Sequence, residues 1–318
     1  MKVLVTGGSG FVGSAVLRRL ASDGEEAVAS VRRPADAPIA GVRYVPGADL
    51  AGAAGWDHAV RGADAVIHAA ARVHVMDDRA ADPLAEFRRL NVDGTLRLAR
   101  AAVAAGVRRF VLLSSIKVNG ETSEPGKPFR ADQLPRPADP YGVSKREAEE
   151  ALFALGRESG MEVTAVRPPL VYGPGVKANF RSMMRLLSRR IPLPLGAVRA
   201  RRSLVAVDNL ADLLVHCLRR PEAAGQVLLV SDGEDLSVND MLRRLGRALG
   251  KRALLLPVPP PLLDLAARAA GKPALAQRLL RPLEVDIEPT RRLLGWSPPF
   301  GVDESFRRTA LDFLERRT

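Results

Sequence analysis

Cysteine and histidine are scarce in this sequence of 318 residues, which contains one cysteine and four histidines. The single cysteine, Cys217, excludes an intrachain disulfide and is typical of proteins of the reducing cytoplasm, where we expect this one to reside. Cys217 follows Leu213 and Leu214 in an apolar helical pattern, so we expect it in the core rather than as a reactive thiol. The scattered histidines show no metal-ligand spacing, and the sequence predicts no metal site.

Aromatic residues and long apolar runs are also few. Nine Phe, three Tyr and two Trp do not interleave with any basic stripe, which argues against nucleic-acid binding. The most apolar stretch, residues 253–271, contains Asp264, Arg268 and several prolines, so we expect no membrane segment. The net charge of +12 can indicate nucleic acid, an anionic membrane face or an anionic substrate. We expect arginines on a solvated surface, or a substrate that carries phosphate.

Strand and helix patterns alternate along the first half of the chain. Short apolar runs with the length of buried parallel strands occur at residues 2–6, 27–31, 42–46, 65–68, 110–114 and 163–167. Amphipathic helical patterns lie between them, most clearly at residues 11–21, 84–105 and 140–159. This alternation predicts an α/β fold with a Rossmann-type doubly wound parallel sheet.

Beyond residue 167 the pattern changes to short helices separated by proline clusters. Helical spacing occurs at residues 179–190, 208–219, 237–249, 261–270 and 302–316. We therefore expect a dinucleotide-binding domain over residues 1–167 and a smaller, mainly helical substrate lobe over residues 168–318. Segments between about residues 203 and 230 are expected to return to the first domain.

A glycine cluster joins the first predicted strand to the first predicted helix. Gly7, Gly10 and Gly13 have a G-x-x-G-x-x-G spacing, and Phe11 and Val12 begin the helix. Glycine permits the tight turn, lets the backbone approach a pyrophosphate and allows the helix to pack closely on the strand. The free N–H groups of the helix N-terminus would then face the phosphates. The combination predicts a dinucleotide-binding loop, and the alternative is a plain glycine-rich turn.

The end of the second predicted strand indicates which dinucleotide is preferred. Enzymes that bind NAD place an acidic residue there against the ribose 2′-hydroxyl, whereas a basic residue favours the 2′-phosphate of NADP. This chain has Arg32 and Arg33 at that point and no acid. The sequence thus predicts NADP or NAD as the cofactor, with NADPH favoured, and the alternative is a solvated basic turn.

Tyr141 and Lys145 form a Y-x-x-x-K pair within a predicted helix. Residues four apart share a helix face, so we expect the ammonium beneath the phenol, where it would lower the pKa of the tyrosine. Such a tyrosine can exchange a proton with an alcohol or a ketone. Ser115 follows the strand predicted at residues 110–114 and is placed to orient the carbonyl oxygen. These three residues are the predicted catalytic group.

Three further residues are candidates for contact with the substrate. His74 lies beyond the fourth predicted strand, where a sugar could bind, and Lys117 lies two residues beyond Ser115. Arg281 precedes Pro282 in the second lobe and could hold a diphosphate. For Lys117 the alternative is a solvated loop lysine.

Together these motifs resemble those of extended short-chain dehydrogenases/reductases, a family of nucleotide-sugar epimerases, dehydratases and reductases. The resemblance covers essentially the whole chain and extends to Leu294-Gly295-Trp296 near its end. It implies that Ser115, Tyr141 and Lys145 are catalytic. It also implies that further residues line the cofactor site, namely Asp49, Leu50, His68, Ala69, Ala70, Asn91, Ser114, Arg167 and Pro168.

In the second half the same resemblance implies a site for a UDP-sugar. Arg202 matches the family's arginine that holds the diphosphate. Residues 171–174 and 179–180, which include Asn179, are similar to its substrate lid. Ser203 and Ala206 depart from the family's usual Asp and His, so epimerase detail transfers less directly. Family habit further implies a homodimer formed through two helices of the Rossmann domain.

Three longer runs, at residues 114–121, 173–180 and 230–236, are similar to one subgroup of that family. Its members are 4-keto reductases that make UDP-N-acetyl-quinovosamine for bacterial surface polysaccharide, such as lipopolysaccharide O-antigen. We therefore expect reduction of the 4-keto group of a UDP-4-keto-6-deoxy-N-acetylhexosamine. The alternatives are a UDP-hexose 4-epimerase with tightly bound NAD and, more remotely, a non-catalytic dinucleotide sensor, which would have no need of the three catalytic groups.

Overall fold

The computed structural model describes residues 1–32, 38–47, 49–50, 52, 55–73 and 82–316. The strands found among them are β1 (Lys2–Thr6), β2 (Glu26–Val31), β3 (Val42–Pro46), β4 (Ala65–His68), β5 (Arg109–Leu113), β6 (Glu162–Arg167), β7 (Leu170–Tyr172), β8 (Arg201–Arg202), β9 (Leu204–Ala206), β10 (Val227–Leu229) and β11 (Leu236–Ser237). The α-helices are α1 (Phe11–Ser22), α2 (Trp56–Val60), α3 (Pro83–Phe87), α4 (Gly94–Ala104), α5 (Pro140–Ser159), α6 (Ala178–Ser188), α7 (Val207–Cys217), α8 (Val238–Ala248), α9 (Pro260–Ala269), α10 (Pro273–Leu280), α11 (Glu288–Leu294) and α12 (Val302–Glu315).

Seven strands form one parallel sheet in the order β3-β2-β1-β4-β5-β6-β10. Thr6 at the end of β1 pairs with Ser30 of β2 and with His68 of β4, so the carboxyl ends of these strands meet at one edge. The strand order reverses on either side of β1, and such a reversal opens the crevice in which doubly wound sheets bind ligands. The predicted Rossmann-type α/β fold is confirmed.

Both faces of the sheet are covered, which explains why its strands are apolar throughout. Successive side chains of a strand point to opposite faces, so Val3 and Val5 enter one core cluster while Leu4 enters another. Helices α1 and α7 complete the first cluster, which also contains Cys217 as expected. Helices α2, α4 and α5 complete the second.

A third core cluster holds the later, mainly helical part of the chain together. It contains Tyr172, Phe180 and Phe306 with apolar residues of α6, α8 and α12. Two small two-stranded sheets, β7 with β9 and β11 with β8, adjoin it. Strand β10 pairs with β6 and so lies in the large sheet. The division of the chain into two units at residue 167 stays a prediction.

The helix predicted at residues 84–105 is interrupted in the structure. Helix α3 ends at Phe87, a π-helical turn follows over Arg88–Asp93, and α4 begins at Gly94. The turn directs Asn91 into the interior, where it is buried, and such turns occur often at functional sites. Helices α2, α10 and α11 and the strands β7, β8, β9 and β11 were not predicted, because such short segments show little periodicity. No helix of the described residues is long and apolar enough to cross a bilayer.

Candidate active site

The loop between β1 and α1 is packed so closely that its glycines leave no room for side chains. Gly7 has a φ of +70°, and a Cβ on it would lie 2.8 Å from the main-chain N of Ala70. A Cβ on Gly13 would lie 2.1 Å from the main-chain O of Gly7. The N–H of Gly10 donates to that same oxygen at 2.8 Å. A surface of bare backbone such as this one fits a pyrophosphate.

Helix α1 begins directly after this loop with Phe11 and Val12. Gly10 holds the N-cap position, and no side chain of the described residues caps the first turn. N–H groups at an uncapped helix start can donate to phosphate oxygens. The predicted cofactor loop therefore has the backbone geometry that a dinucleotide needs.

The segments that follow β2 and β3 leave the sheet at the same edge. Arg32 comes directly after β2 and is exposed, whereas Arg33 lies outside the described residues. Asp49 is also exposed. The main-chain O of Leu50 accepts a hydrogen bond from Arg97 of α4, which holds this segment against the sheet. Arg32 is thus exposed at the point where the 2′ group of a bound dinucleotide would lie.

His68 is buried at the end of β4 between two hydroxyl groups. Its Nε2 lies 3.0 Å from Oγ1 of Thr95, which itself donates to the main-chain O of Asn91 at 2.6 Å. Thr95 must therefore accept from Nε2–H, so Nδ1 accepts from Oγ1 of Thr6 at 2.6 Å. Burial, together with the charge of Lys145, lowers the pKa of His68 to about 3. The imidazole is neutral and satisfied on both sides.

The hydrogen bonds of His68 fix the segment that follows it. Oγ1 of Thr6 accepts from the N–H of Ala70 at 3.3 Å, and the main-chain O of Thr6 accepts from the N–H of Ala69 at 3.2 Å. These two alanines lie against Gly7. His68 thus has a structural position beside the stretch predicted to line the cofactor.

Asn91 connects the segment after β4 to helix α5. Its Oδ1 accepts from the N–H of Arg72 at 2.8 Å, and its Nδ2 donates to the main-chain O of Arg72 and to Oγ of Ser144, each at 3.0 Å. Both polar atoms of the Asn91 side chain, Oδ1 and Nδ2, are thus already hydrogen bonded within the protein. The structure gives Asn91 a positioning role, and its direct contact with a cofactor stays a prediction.

Tyr141 lies in the first turn of α5, beside Ser115. Asp139 caps the helix by accepting from the N–H of Gly142 at 2.7 Å, and Pro140 occupies the first turn, which favours this helix start. The hydroxyl of Ser115 is near enough to the phenol of Tyr141 to lower its pKa. The structure therefore brings together the two hydroxyl groups that the sequence assigned to catalysis.

The tyrosine pKa differs from expectation. Burial raises the pKa of Tyr141 to about 12, and the hydrogen bond from Ser115 offsets this only in part. The predicted lowering of this pKa by Lys145 is wrong for the structure described here, because the ammonium is directed elsewhere. Nζ of Lys145 donates to the main-chain O of Leu113 at 2.7 Å. Tyr141 is a neutral phenol and can donate a proton.

Lys145 is itself perturbed by its surroundings. Burial lowers its pKa to about 8, and the carboxylate of Glu149 one turn further along α5 opposes that shift. The ammonium is therefore the main form below that pH, and the neutral amine is the main form above it. The charge beside the tyrosine depends on Glu149.

Glu149 is the centre of a buried polar network that the sequence reasoning missed. It forms an ion pair with Arg167 through two hydrogen bonds from Nε, at 2.9 and 3.2 Å, and one from Nη2, and it accepts from Oγ of Ser114. Arg167 also donates to Oδ1 of Asn119 at 2.9 Å. The guanidinium of Arg167 and the hydroxyl of Ser114 thus point into the protein. Cofactor contact through these two side chains is a prediction that the structure does not favour.

Lys117 forms ion pairs with two acids in the structure. Its ammonium donates to the carboxylate of Asp139 and lies 2.9 Å from Oε1 of Glu121. Two acids neutralise it, and its contact with Asp139 supports the start of α5. Contact between Lys117 and the sugar stays a prediction, and the two ion pairs do not favour it.

Arg202 and Arg281 come together in the structure. The guanidinium of Arg202 on β8 donates to the main-chain O of Arg281 at 2.9 Å. Burial and the charge of Arg278 lower the pKa of Arg202, and the charge of Glu121 raises it. Arginine stays protonated throughout. Because Glu121 also pairs with the lysine that supports α5, it connects this basic cluster to the catalytic helix.

The expected substrate lid is partly core. Tyr172 is fully buried, donates from its hydroxyl to Oδ2 of Asp232 at 2.7 Å, and packs against Phe180 and Phe306 with ring centroids 5.4 and 5.0 Å apart. Tyr172 and Phe180 therefore cannot close over a substrate, and the lid interpretation is wrong for these two residues. Asn179 lies in the first turn of α6. The side chain of Asn179 and the whole of His74 lie outside the described residues.

Several of the missed residues have a sequence signal. Glu149 lies four residues beyond Lys145 and eight beyond Tyr141, on the same helix face. Asp139 precedes a proline at a predicted helix start, which is the signal of an N-cap. Asp232, which accepts from the main-chain N of Ala206 at 2.8 Å, gives no comparable signal. Pro168 accepts from the N–H of Ile116 at 3.0 Å and so joins β6 to the serine segment.

The family is shown by comparison with known proteins. The model of the NAD-dependent epimerase/dehydratase family matches residues 3–231, so the chain belongs to that family. UDP-glucose 4-epimerase from Vibrio cholerae is 45% identical over 314 residues, which cover 98% of this chain and 95% of that protein.

Two further proteins show the range of the similarity. The chain is 30% identical to 2-alkyl-3-oxoalkanoate reductase from Stenotrophomonas maltophilia (strain K279a), over 97% of this chain and 98% of that one. The solved structure of MoeE5 in complex with UDP-glucose and NAD superposes with a TM-score of 0.78 and 27% identity over the full length of both chains. Within the described residues, no group of three His, Cys, Asp or Glu side chains is placed to hold a metal ion.

Proposed function

We propose that this protein is a UDP-hexose 4-epimerase that uses NAD held on the glycine loop. The observation that carries the proposal is that Ser115, which follows β5 at the carboxyl edge of the sheet, acts on the phenol of Tyr141 and lowers its pKa. The 45% identity to a UDP-glucose 4-epimerase over almost the whole chain supports it. That similarity favours the second of the two activities expected from the sequence.

The residues of this site can move a proton to and from the sugar oxygen. A bound nicotinamide would supply the hydride acceptor and donor, and its positive charge when oxidised would favour the phenolate of Tyr141. Tyr141 would exchange the proton of the 4-hydroxyl, and Ser115 would donate a hydrogen bond that strengthens as charge develops on that oxygen. Lys145, one helical turn beyond Tyr141, donates to the main-chain O of Leu113 and would keep a positive charge at the end of that strand.

The substrate would be held by its diphosphate. The guanidinium of Arg202 contacts the main chain of Arg281, and guanidinium groups bind phosphate through paired hydrogen bonds. The MoeE5 structure contains UDP-glucose, which supports the assignment of a UDP-sugar. The homodimer and the cytoplasmic location expected from the sequence stay part of this proposal.

A second activity has one observation in its favour. Arg32 is exposed directly after β2, where a basic residue favours NADPH, the cofactor of a reductase. The second candidate is therefore reduction of a UDP-4-keto-6-deoxy-N-acetylhexosamine, as expected from the sequence runs. It would use the same Ser115, Tyr141 and Lys145.

The two activities differ in net redox change. The purified protein should convert UDP-glucose, or its N-acetyl form, to the 4-epimer without added cofactor and without net change in reduced nicotinamide. Tyr141→Phe should reduce kcat by about 10²–10⁴-fold, because the proton exchange is lost, and should leave dinucleotide affinity unchanged. Consumption of one NADPH per 4-keto sugar, with no epimerisation, would reject the epimerase and support the reductase.

A further inference from the structure

The positive charge of this protein is concentrated in two stretches. Residues 177–202 and 241–283 contain 17 of the 48 Lys and Arg residues, but only one of the 36 acidic residues, Asp264. These stretches therefore carry a formal charge of +16, whereas the rest of the chain carries −4. The excess of basic over acidic residues is therefore concentrated in these two stretches of the sequence.

The same two stretches expose apolar side chains. Leu262 and Leu265 of α9 are 57% and 65% exposed. Helix α9 contains no buried residue and contacts the core through the half-buried Leu263. Residues three apart lie on one helix face, so Leu262 and Leu265 form an outward apolar strip. The other exposed apolar residues of these stretches are Leu186, Ile191, Leu256 and Leu275.

Backbone pairing brings the two stretches side by side. The N–H of Leu193 donates to the main-chain O of Leu254, and the N–H of Leu256 donates to that of Leu193, each at 2.8 Å. The N–H of Ile191 donates to the main-chain O of Leu186 at 3.1 Å. The exposed residues at 186, 191 and 256 therefore belong to one region of the surface.

A basic groove continues this region at the C-terminal end of α8. It has a volume of about 730 Å³, and its charged lining residues are five basic ones, Arg243, Arg244, Arg247, Lys251 and Arg252, and one acid, Asp240. Arg244 pairs with acids elsewhere in the chain. For Arg247, Lys251 and Arg252, the described part of the chain contains no ion-pair partner. The groove and the exposed leucines together are named the basic apolar surface.

We propose that the basic apolar surface binds an anionic lipid bilayer, with α9 in the plane of the interface. Basic side chains attract anionic headgroups, and leucines on the same surface enter the boundary of the acyl chains. Nucleic acid fits less well, since Phe180 is the one aromatic residue of these stretches and is buried, so bases would have no ring to stack on. An acidic protein would satisfy the charges without engaging the leucines.

This contact requires no spanning helix and does not depend on which sugar the enzyme uses. The sequence predicted no membrane partner and favoured a solvated arginine-rich surface over an anionic membrane face, and the proposal departs from that expectation. The proposal concerns a reversible contact made by the surface of the folded protein, and a lipid interface provides both charge and apolar depth.

Vesicle flotation of the full-length protein tests the proposal. At physiological ionic strength the protein should float with vesicles of phosphatidylcholine and phosphatidylglycerol, and should stay unbound with phosphatidylcholine alone. Raising the salt to about 0.5 M should release it, because screening weakens headgroup attraction. Lack of binding to the anionic vesicles would overturn the proposal.

Two pairs of matched variants separate charge from insertion. Leu262→Ser with Leu265→Ser should weaken binding by about 100-fold, whereas Leu311→Ser with Leu314→Ser, an exposed pair with the same spacing on α12, should not. Lys251→Glu with Arg252→Glu should weaken it by about 30-fold or more, and Arg61→Glu with Arg108→Glu should have little effect. Circular dichroism would confirm that all variants fold.

The variants also give results that contradict a bilayer. Binding that is lost in the Lys251 and Arg252 variant but unchanged in the Leu262 and Leu265 variant would indicate a purely electrostatic site for another polyanion and overturn the proposal. Equal loss of binding in the Lys251 and Arg252 variant and in its control, the Arg61 and Arg108 variant, would show that binding follows net charge alone. That result would overturn the proposal as well.

Discussion

Glu149 is a buried carboxylate with two hydrogen-bonding partners, and its charge acts on a third residue. It pairs with Arg167, accepts from Ser114 and raises the pKa of Lys145 one helical turn away. Burying an ion pair of this kind costs desolvation free energy. Stability alone therefore does not explain why the pair of Glu149 and Arg167 is present. We interpret Glu149 as a positioning residue that keeps Lys145 charged.

Glu149→Gln should shift the alkaline limb of the pH–rate profile to lower pH. Lys145 has a pKa of about 8, so activity that needs its ammonium falls as pH rises above that value. Removing the carboxylate removes the influence that raises this pKa, so the fall should begin earlier. The measurement is kcat/KM from pH 6 to about pH 10. Loss of folded enzyme changes the amplitude of this profile and not its midpoint.

Glu147→Gln provides the control for this experiment. Glu147 lies on the same helix but pairs with the exposed Arg88. Its variant should keep the wild-type profile. An unchanged midpoint in Glu149→Gln would show that the carboxylate does not set the charge of Lys145.

His68 makes the folded protein sensitive to acid. Its folded-state pKa of about 3 lies below the ordinary value of 6.5, because the buried imidazole resists protonation. The stability from neutral His68 is fully present above pH 6.5 and is lost as pH falls toward 3, by up to about 1.4 kcal/mol per pH unit. His68→Gln should flatten the pH dependence of the free energy of unfolding below pH 6.5, measured with urea.

His58→Gln is the matched control, since His58 is exposed on α2. Its variant should keep the wild-type slope. Equal slopes for wild type and His68→Gln would mean that another group controls acid sensitivity.

At the scale of elements, the glycine loop and α1 form one tightly packed unit. A methyl group at Gly13 would lie 2.1 Å from the main-chain O of Gly7, closer than real contacts allow. Gly13→Ala should therefore displace the loop from α1 and weaken dinucleotide affinity by about 10-fold or more. Titration calorimetry measures this.

Gly301→Ala is the matched control for the loop. A Cβ at Gly301 meets no atom within 4 Å, and its φ is −69°. Its variant should bind the dinucleotide as wild type does. Unchanged affinity in Gly13→Ala would indicate that the dinucleotide does not depend on the loop geometry.

The longer elements were predictable from the sequence because their periodicity extends over many residues. The helix of residues 140–159 and the strands of residues 2–6, 42–46 and 65–68 have the predicted bounds. The π-helical turn was not predictable, since Asn91 is directed inward by partners on segments distant in sequence. For the same reason the sequence identified Tyr141 and Lys145 but not the tertiary contacts that bury them and shift their pKa values.

At the scale of the whole molecule, residues distant in sequence assemble around the carboxyl edge of the sheet. Arg202 lies near Glu121, which pairs with Lys117, which in turn supports the start of α5. A substrate held at one end of this connection would be fixed with respect to Tyr141 at the other. If the proposed assignments hold, this connection would relate binding at Arg202 to the chemistry at Tyr141.

Arg202→Ala should raise KM for the UDP-sugar by about 10-fold or more and leave dinucleotide affinity unchanged. A hydrogen bond to a charged group contributes about 1.5–3 kcal/mol, and the arginine is remote from the reacting carbon. Arg199→Ala, an exposed arginine on the same segment, should behave as wild type. Steady-state kinetics measure KM, and circular dichroism checks that both variants are folded. An unchanged KM in the folded Arg202→Ala variant would rule out the diphosphate assignment.

In the proposed epimerase, Ser115, Tyr141 and Lys145 would support inversion at C4 of a UDP-sugar by removal and return of the same hydrogen. The most direct measurement follows deuterium in UDP-glucose labelled at C4, with the purified protein and no added cofactor. An epimerase of this kind should give UDP-galactose that retains the deuterium at C4, because the hydrogen transferred to the nicotinamide does not exchange with water before it returns. Exchange of the label for solvent hydrogen, or absence of the 4-epimer, would contradict the proposal.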